Sequence, residues 1–232
     1  MNKIGVEIEL IHDDIDLDSE MDFTDDGEFI DEYYLPATVP LGFNAKYDSS
    51  IDADGYNGAE FVLEQPVSFE ESKELFPKII EKLRIDGYEA HETCGIHFHI
   101  DKDEFNPVSF YKMYTLINTP EFEVVLEKFA GRGSAEFATT KPEGLLFDVA
   151  YKFQKMAWRN LMPTVELRMF ASTTNPETMS RYLDFIDVLL MFSKYNGNST
   201  IDAFSTFLGY RTYMGFYEEI YNFIEEKRLC VL

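Results

Sequence analysis

Four segments of the chain alternate apolar and polar residues, which is the pattern of a strand with one buried face. They are GVEIEL at 5–10, AEFVLE at 59–64, GIHFHID at 95–101 and TVELRMF at 164–170. Because side chains on a strand point alternately to its two faces, the apolar residues of each segment share one face and the polar residues share the other. The first of these strands is predicted to extend over 2–11.

Turn residues and helical periodicity predict the other elements of the first half. A strand is expected at 43–47. A helix is expected between Ser68, which forms a capping box with Glu71, and Gly87, which stops it. Pro77 lies inside this helix and implies a kink or an early break, because proline lacks an N–H and clashes with the preceding turn.

The second half is predicted to be mainly helical. Residues 107–129 form two helices divided near Pro120, and residues 150–160 pair as a strand with residues 164–171. From Pro176 onward the chain is mostly helical, with a break near 196–198.

This order of elements predicts an α+β fold with a largely antiparallel sheet that helices cover on one side. The length of 232 residues suits a single domain over 1–232, whose C-terminal part, 176–232, is helical.

The polar faces of the four alternating strands have an unusual composition. For any one strand, an ordinary half-exposed face explains the pattern, but such faces more often carry Thr, Lys and Ser. The polar positions here instead hold mainly carboxylates, imidazoles and a guanidinium: Glu7, Glu9, Glu60, Glu64, His97, His99, Asp101, Glu166 and Arg168. If the strands lie in one sheet, these residues form a single wall.

Such a wall requires compensating cations, because neighbouring carboxylates repel one another. A donor set rich in oxygen with a minority of imidazole suits Mg²⁺ or Mn²⁺, whereas zinc more typically recruits cysteine or several histidines. Divalent ions together with arginines hold and polarise phosphates, which suggests phosphoryl transfer from a nucleotide. The sequence contains no GxxxxGK[ST] and no GxGxxG motif, so metals and arginines would bind the phosphates.

The net charge of −23, from 43 acidic and 20 basic residues, excludes the basic face that nucleic-acid binding needs and disfavours anionic membrane surfaces. It is also typical of a solvated, self-repelling surface. The chain has two cysteines, no apolar segment of membrane-spanning length and an acidic N-terminal segment unlike a signal peptide, so a cytoplasmic location is expected.

Four motifs in this order resemble the amidoligase family. They are GVEIEL, the DSS segment with GAEFVLEQP, CGIHFHID, and RNLMPTVELRMFASTTNPE, which together span about residue 4 to residue 177. The family belongs to the carboxylate–amine ligase superfamily of glutamine synthetase and glutamate–cysteine ligase. The resemblance implies a curved, glutamine synthetase-like sheet flanked by helices. It also implies an ATP-dependent ligase that phosphorylates a carboxylate and lets an amine attack the acyl phosphate to form an amide.

The resemblance also implies roles for individual residues. One Mg²⁺ would be held by Glu9, Asp48 and Glu60, and a second, bridging the ATP phosphates, by Glu7, His97 and Glu166. Asp52 and Asp54 are alternatives to Asp48, because the DSSI segment lacks the glycine that the family usually has between Asp and Ser.

The remaining implied roles concern the phosphates. His99 would lie near the nucleotide phosphates, Arg159 and Arg168 would bind the transferring phosphoryl group, and Arg132 would approach the site from a loop at 131–144. The acidic segment 13–32 is either part of a substrate lobe or without function.

Two other classes of function compete with the ligase. One is a non-catalytic nucleotide- or metal-binding module on a degenerate ligase fold, and the other is a metal-dependent phosphohydrolase that needs no amine. For the ligase, the expected substrates are small-molecule, peptide or protein carboxylates and amines. The chain resembles small stand-alone ligases, some of them encoded by phages, for which the host cytoplasm is the expected location.

Overall fold

The fold is seen in a computed structural model, which describes residues 3–12, 39–47, 51, 57–132, 155–158, 162–195, 197–211 and 215–227. Statements about the structure below concern these residues.

Within the part of the chain that the structure describes, six strands form one open sheet in the order β2-β3-β1-β4-β6-β5, and every neighbouring pair is antiparallel. The strands are β1 (Ile4–His12), β2 (Phe43–Tyr47), β3 (Asn57–Leu63), β4 (Gly95–Asp101), β5 (Met156–Trp158) and β6 (Thr164–Ala171). The four alternating segments are therefore the four inner strands. Their side-by-side arrangement brings the four polar faces together.

The described residues contain six α-helices and a short 3₁₀ turn at Lys102–Glu104. The helices are α1 (Phe69–Ile85), α2 (Pro107–Ile117), α3 (Pro120–Phe129), α4 (Pro176–Lys194), α5 (Ile201–Gly209) and α6 (Phe216–Lys227). Their N-termini carry residues suited to capping; for example, the Ser68 hydroxyl accepts a hydrogen bond from the Glu71 N–H at 3.2 Å.

The hydrophobic core lies between the apolar face of the sheet and the helices. Phe98 at the centre of β4 contacts Phe76 of α1 and Phe170 of β6, with ring centroids 6.4 and 5.0 Å apart. Phe170 in turn contacts Phe185 of α4, with centroids 6.4 Å apart. Helices α5 and α6 add a second layer through rings such as that of Phe204, which contacts α3 and α4. Packing against this face leaves the polar residues of the inner strands on the opposite face of the sheet.

The predicted α+β class, antiparallel sheet and flanking helices are confirmed, and most predicted elements lie within a few residues of their observed bounds. One of the two outcomes expected at Pro77, an early break of the helix, is wrong. Helix α1 runs without interruption through Pro77, so no break occurs there. The loss of one backbone hydrogen bond is outweighed by burial of the apolar side chains on both sides of the proline, including Phe76, Ile79 and Ile80.

Part of the predicted structure lies outside the described residues. The predicted strand at 150–160 is described only at 155–158, where it forms β5, and the predicted loop at 131–144 only at its first two residues. In the described part of the chain, no helix combines the length and apolar character needed to cross a membrane.

Candidate metal centre

The register of the inner strands brings the predicted polar residues into rows across the sheet. Glu7 of β1 lies opposite His97 of β4, and Glu9 lies opposite Glu60 of β3. His99 lies opposite Glu166 of β6. Directly opposite residues on neighbouring antiparallel strands point to the same face with closely spaced Cβ atoms. The rows therefore place carboxylates and imidazoles within reach of a shared ligand.

A bulge between β4 and β6 shapes the centre of this wall. Ile96 pairs with Phe170, but Phe98 pairs with Leu167, so β6 has one extra residue opposite His97. The two β6 residues at this point are Arg168 and Met169. Met169 is buried in the core, while Arg168 stays on the polar face.

His97 is the most enclosed ionisable side chain of the centre, with 2% of its surface exposed. Its Nδ1 lies 3.2 Å from Glu7 Oε2 and 3.8 Å from Glu166 Oε1. Its Nε2 lies 3.5 Å from Glu9 Oε1. The imidazole is thus surrounded by carboxylates from two neighbouring strands.

His99 lies in the next row of the sheet and contacts the other oxygen of the Glu7 carboxylate. Its Nε2 lies 3.1 Å from Glu7 Oε1, and its Nδ1 lies 3.4 Å from the Thr164 hydroxyl. Burial by itself raises the pKa of Glu7, but hydrogen bonds and charge interactions with His97 and His99 outweigh it and hold the pKa well below its ordinary value. Glu7 therefore carries a negative charge at neutral pH.

Two groups of side chains in the described part of the chain have the spacing to hold a metal ion, with ligand atoms all within 4.8 Å of one another. One group is Glu7, His99 and Glu166, and the other is Glu7, Glu60 and His97. Both contain Glu7, so one carboxylate is available to two adjacent cations. The groups differ from those that the family resemblance implies, since His99 joins one of them and Glu9 joins neither.

The donor chemistry of these groups fits magnesium or manganese. Carboxylate oxygens outnumber imidazoles, and Cys94 is a buried thiol whose pKa is raised to about 12 by burial and by the charge of Glu9, so it stays protonated. Among the described residues of the centre itself, four carboxylates (Glu7, Glu9, Glu60 and Glu166) lie near two guanidinium groups, those of Arg132 and Arg168. The surplus negative charge favours bound cations.

Two arginines of the centre, Arg168 and Arg132, make different contacts. Arg168 Nη1 donates a hydrogen bond to Glu166 Oε1. Arg132 Nη2 donates to the backbone carbonyls of Thr93 and Cys94, at 3.1 and 2.9 Å, and the side chain is buried. Burial lowers the pKa of Arg132, while the negative charge of Glu9 acts in the other direction. Both guanidinium groups belong to the same wall as the carboxylates.

Two of the predicted site residues, Asp48 and Arg159, lie outside the described residues, as do the alternatives Asp52 and Asp54. The acidic segment 13–32 also lies outside them. The structure brings together all the other predicted residues: Glu7, Glu9, Glu60, His97, His99, Arg132, Glu166 and Arg168.

Sequence reasoning missed three residues that support the centre. The Gly95 N–H donates to Glu9 Oε2 at 2.6 Å, and the Ser172 hydroxyl donates to the Glu9 backbone carbonyl at 2.5 Å. Thr164 lies beside His99. Among these three residues, Gly95 was the visible signal, because a glycine inside a strand often marks a bulge, a bend or the close approach of another group. The Ser172 hydroxyl meets Glu9 and the Thr164 hydroxyl meets His99 because the sheet brings together segments that are distant in sequence.

The fold and the site define an open antiparallel α+β protein with a carboxylate–histidine centre on the face opposite its helices. Comparison with models of protein families gives no match, and comparison with curated proteins gives no match either. The resemblance to the amidoligases therefore rests on the four sequence motifs alone.

Proposed function

We propose that the protein is an ATP- and Mg²⁺-dependent carboxylate–amine ligase that works through an acyl phosphate on a glutamine synthetase-like, curved sheet. The observation that carries the proposal is the position of Glu7 in two adjacent metal-capable groups on one face of an antiparallel sheet. Paired divalent ions beside arginines suit the charge that develops when a phosphoryl group is transferred. The four sequence motifs that resemble the amidoligase family are the reason for proposing a ligase rather than another phosphoryl-transfer reaction.

In this proposal the side chains have distinct tasks. Glu7, Glu60, His97, His99 and Glu166 hold the cations, which when bound neutralise phosphate charge. Arg168, next to Glu166, donates to the transferring phosphoryl group, a role that the resemblance also implies for Arg159. The carboxylate substrate takes the γ-phosphoryl group from ATP, which leaves ADP. The amine then attacks the acyl phosphate, phosphate leaves, and an amide forms.

The polar wall also accounts for the absence of a glycine-rich phosphate loop. Guanidinium groups and cations can bind phosphate oxygens without backbone amides arranged at a helix N-terminus. The burial of His97, Glu60 and Glu166 supports the same idea, because charge interactions strengthen where water is excluded. The expected substrates are small-molecule, peptide or protein carboxylates and amines.

The decisive experiment incubates the purified protein with ATP, Mg²⁺ and pools of carboxylates and amines, and measures ADP and amide products. ADP and amide formation that depends on both substrates supports the ligase. Release of phosphate without an amine identifies a phosphohydrolase, and ATP binding without turnover identifies a non-catalytic module. His97→Ala and Glu166→Gln should abolish turnover, and unchanged turnover in both would show that the site lies elsewhere.

A further inference from the structure

The two ring nitrogens of His97 have different surroundings. Nδ1 faces Glu7 and Glu166, which offer carboxylate oxygens at 3.2 and 3.8 Å. Nε2 faces Glu9 Oε1 at 3.5 Å. A neutral imidazole that binds a metal through one nitrogen carries its hydrogen on the other nitrogen, where a carboxylate commonly accepts it.

Glu9 is held in place by contacts other than those to His97. Its second carboxylate oxygen, Oε2, accepts the Gly95 N–H at 2.6 Å, and its backbone carbonyl accepts the Ser172 hydroxyl at 2.5 Å. The side chain is 9% exposed. A carboxylate anchored by a backbone N–H has a fixed orientation toward Nε2.

The Nε2 side of the ring is also crowded, and it carries a guanidinium group beside the Glu9 carboxylate. A methyl group at Gly95 would lie 2.5 Å from Arg132 Nη1 and 3.2 Å from His97 Nε2, so both groups pack against this glycine. Arg132 is fixed there by the carbonyls of Thr93 and Cys94. A fixed guanidinium disfavours a divalent cation on this side of the imidazole, since like charges repel.

We propose that Glu9 and Arg132 are positioning residues for His97. Glu9 accepts the hydrogen of Nε2, which leaves Nδ1 as the metal-binding atom beside Glu7. Arg132, which packs against Gly95, keeps the cation on the Nδ1 side of the His97 ring. This inference rests on the metal centre of the proposed function. It gives Glu9 and Arg132 roles other than the metal ligand and the phosphate-site arginine that the family resemblance implies.

The test is an NMR measurement of the His97 tautomer in protein labelled with ¹⁵N-histidine, with and without Mg²⁺. His97→Ala assigns the signals. In the Mg²⁺-bound wild type we expect hydrogen on Nε2 and none on Nδ1. Glu9→Gln presents an amide N–H₂ to Nε2, so we expect loss of this tautomer and a 10- to 100-fold weaker Mg²⁺ affinity, as for other outer-shell partners of metal ligands.

Several outcomes would overturn the inference. They are hydrogen on Nδ1 in the Mg²⁺-bound wild type, no Mg²⁺-dependent change at His97, or a Glu9→Gln variant with weaker affinity but an unchanged tautomer, as expected for a direct ligand. The proposed function is judged separately by amide formation. A failed ligase assay with the expected tautomer would refute the ligase and leave the positioning role intact.

A pair of glycine variants tests the part played by Arg132. Gly95→Ala is compatible with a strand backbone but displaces the guanidinium, so we expect at least about tenfold weaker Mg²⁺ affinity and a mixed His97 tautomer. Gly5→Ala is the matched control on the same face, because its methyl group would lie 3.4 Å from His99 Cβ, an ordinary contact. If the Gly95→Ala variant matched the Gly5→Ala variant in both measurements, Arg132 would have no positioning role.

Discussion

Glu7 and His97 face each other across β1 and β4, with Glu7 Oε2 3.2 Å from His97 Nδ1. The other oxygen of the same carboxylate, Oε1, lies 3.1 Å from His99 Nε2. One side chain thus connects two imidazoles on neighbouring rows of the sheet. This arrangement explains why Glu7 belongs to both metal-capable groups, and it makes Glu7 the residue on which the centre depends most.

Glu7→Gln should therefore weaken Mn²⁺ binding more than any outer-shell change. We expect a loss of at least about 100-fold in affinity, because outer-shell substitutions alone cost 10- to 100-fold and this one removes a ligand of both groups. Isothermal titration calorimetry with Mn²⁺ measures it. Glu64→Gln, at an exposed position just beyond β3, is the control and should bind Mn²⁺ like the wild type. Equal affinities in both variants would contradict the shared-ligand arrangement.

A buried ion pair away from the centre predicts a large stability effect. Lys155 is fully buried and its Nζ pairs with Glu123 Oε2 of α3. Glu123→Gln should cost about 3–5 kcal/mol in the free energy of unfolding, because it leaves a buried ammonium without its counter-charge. The double variant with Lys155→Met should recover most of this loss. Urea denaturation measures both.

The control for this pair is an exposed one. Lys78 and Glu74 lie 3.9 Å apart on α1, with side chains 75% and 83% exposed. Lys78→Met should leave the urea midpoint unchanged, since water screens exposed pairs. If Glu123→Gln behaved like the Lys78→Met variant, the ammonium of Lys155 would have another compensating partner.

The protein should lose stability in alkaline solution. Burial raises the pKa of Tyr182 to about 12, and burial together with the charge of Asp86 raises that of Tyr88 to about 12. Burial and the charge of Glu9 raise that of Cys94 to about 12. In the unfolded chain these groups ionise at about 10 for tyrosine and about 8.5 for cysteine. The contribution of these three groups to the free energy of unfolding is therefore fully present below their pKa values in the unfolded chain. It is lost as the pH rises toward 12, the folded-state value.

Urea denaturation between pH 7 and pH 11.5 measures this loss. By the upper end of the range the stability should fall by roughly 1–2 kcal/mol for each tyrosine and by roughly 4 kcal/mol for Cys94. Tyr88→Phe combined with Tyr182→Phe should flatten the fall above pH 10 without removing it, because Cys94 remains. A wild-type stability that stayed constant up to pH 11.5 would show that the three groups ionise equally in both states.

A close contact at Gly58 predicts an overpacking effect. A methyl group at this position would lie 2.3–2.6 Å from three atoms of Ile51, which is buried beside Ile11 and Cys94. Gly58→Ala should destabilise the protein by about 1–3 kcal/mol, because the neighbour is packed and must move. Gly209→Ala is the control, since its methyl group would lie 3.6 Å from Tyr221 and alanine favours a helix. Differential scanning calorimetry should show a lower Tm for the first variant alone.

Local pattern was sufficient to predict most of the secondary structure. Alternation in GVEIEL and GIHFHID identified β1 and β4 and assigned Glu7, His97 and His99 to one face, because the two-residue period of a strand is a local property. The cap at Ser68 followed from the same kind of short-range rule. Pro77 shows the limit of such rules, since core packing kept α1 continuous through a residue that locally disfavours a helix.

The amino-acid sequence by itself determined which side chains are available to the site: an acidic, histidine-containing set on the polar faces of four strands. Only the tertiary structure decided how they meet. The strand order places β1 between β3 and β4, and the bulge opposite His97 shifts the register of β6. These features set which oxygen faces which nitrogen, so that His97 has Glu7 at Nδ1 and Glu9 at Nε2. Strand order and register depend on packing between segments far apart in sequence, and no local period encodes them.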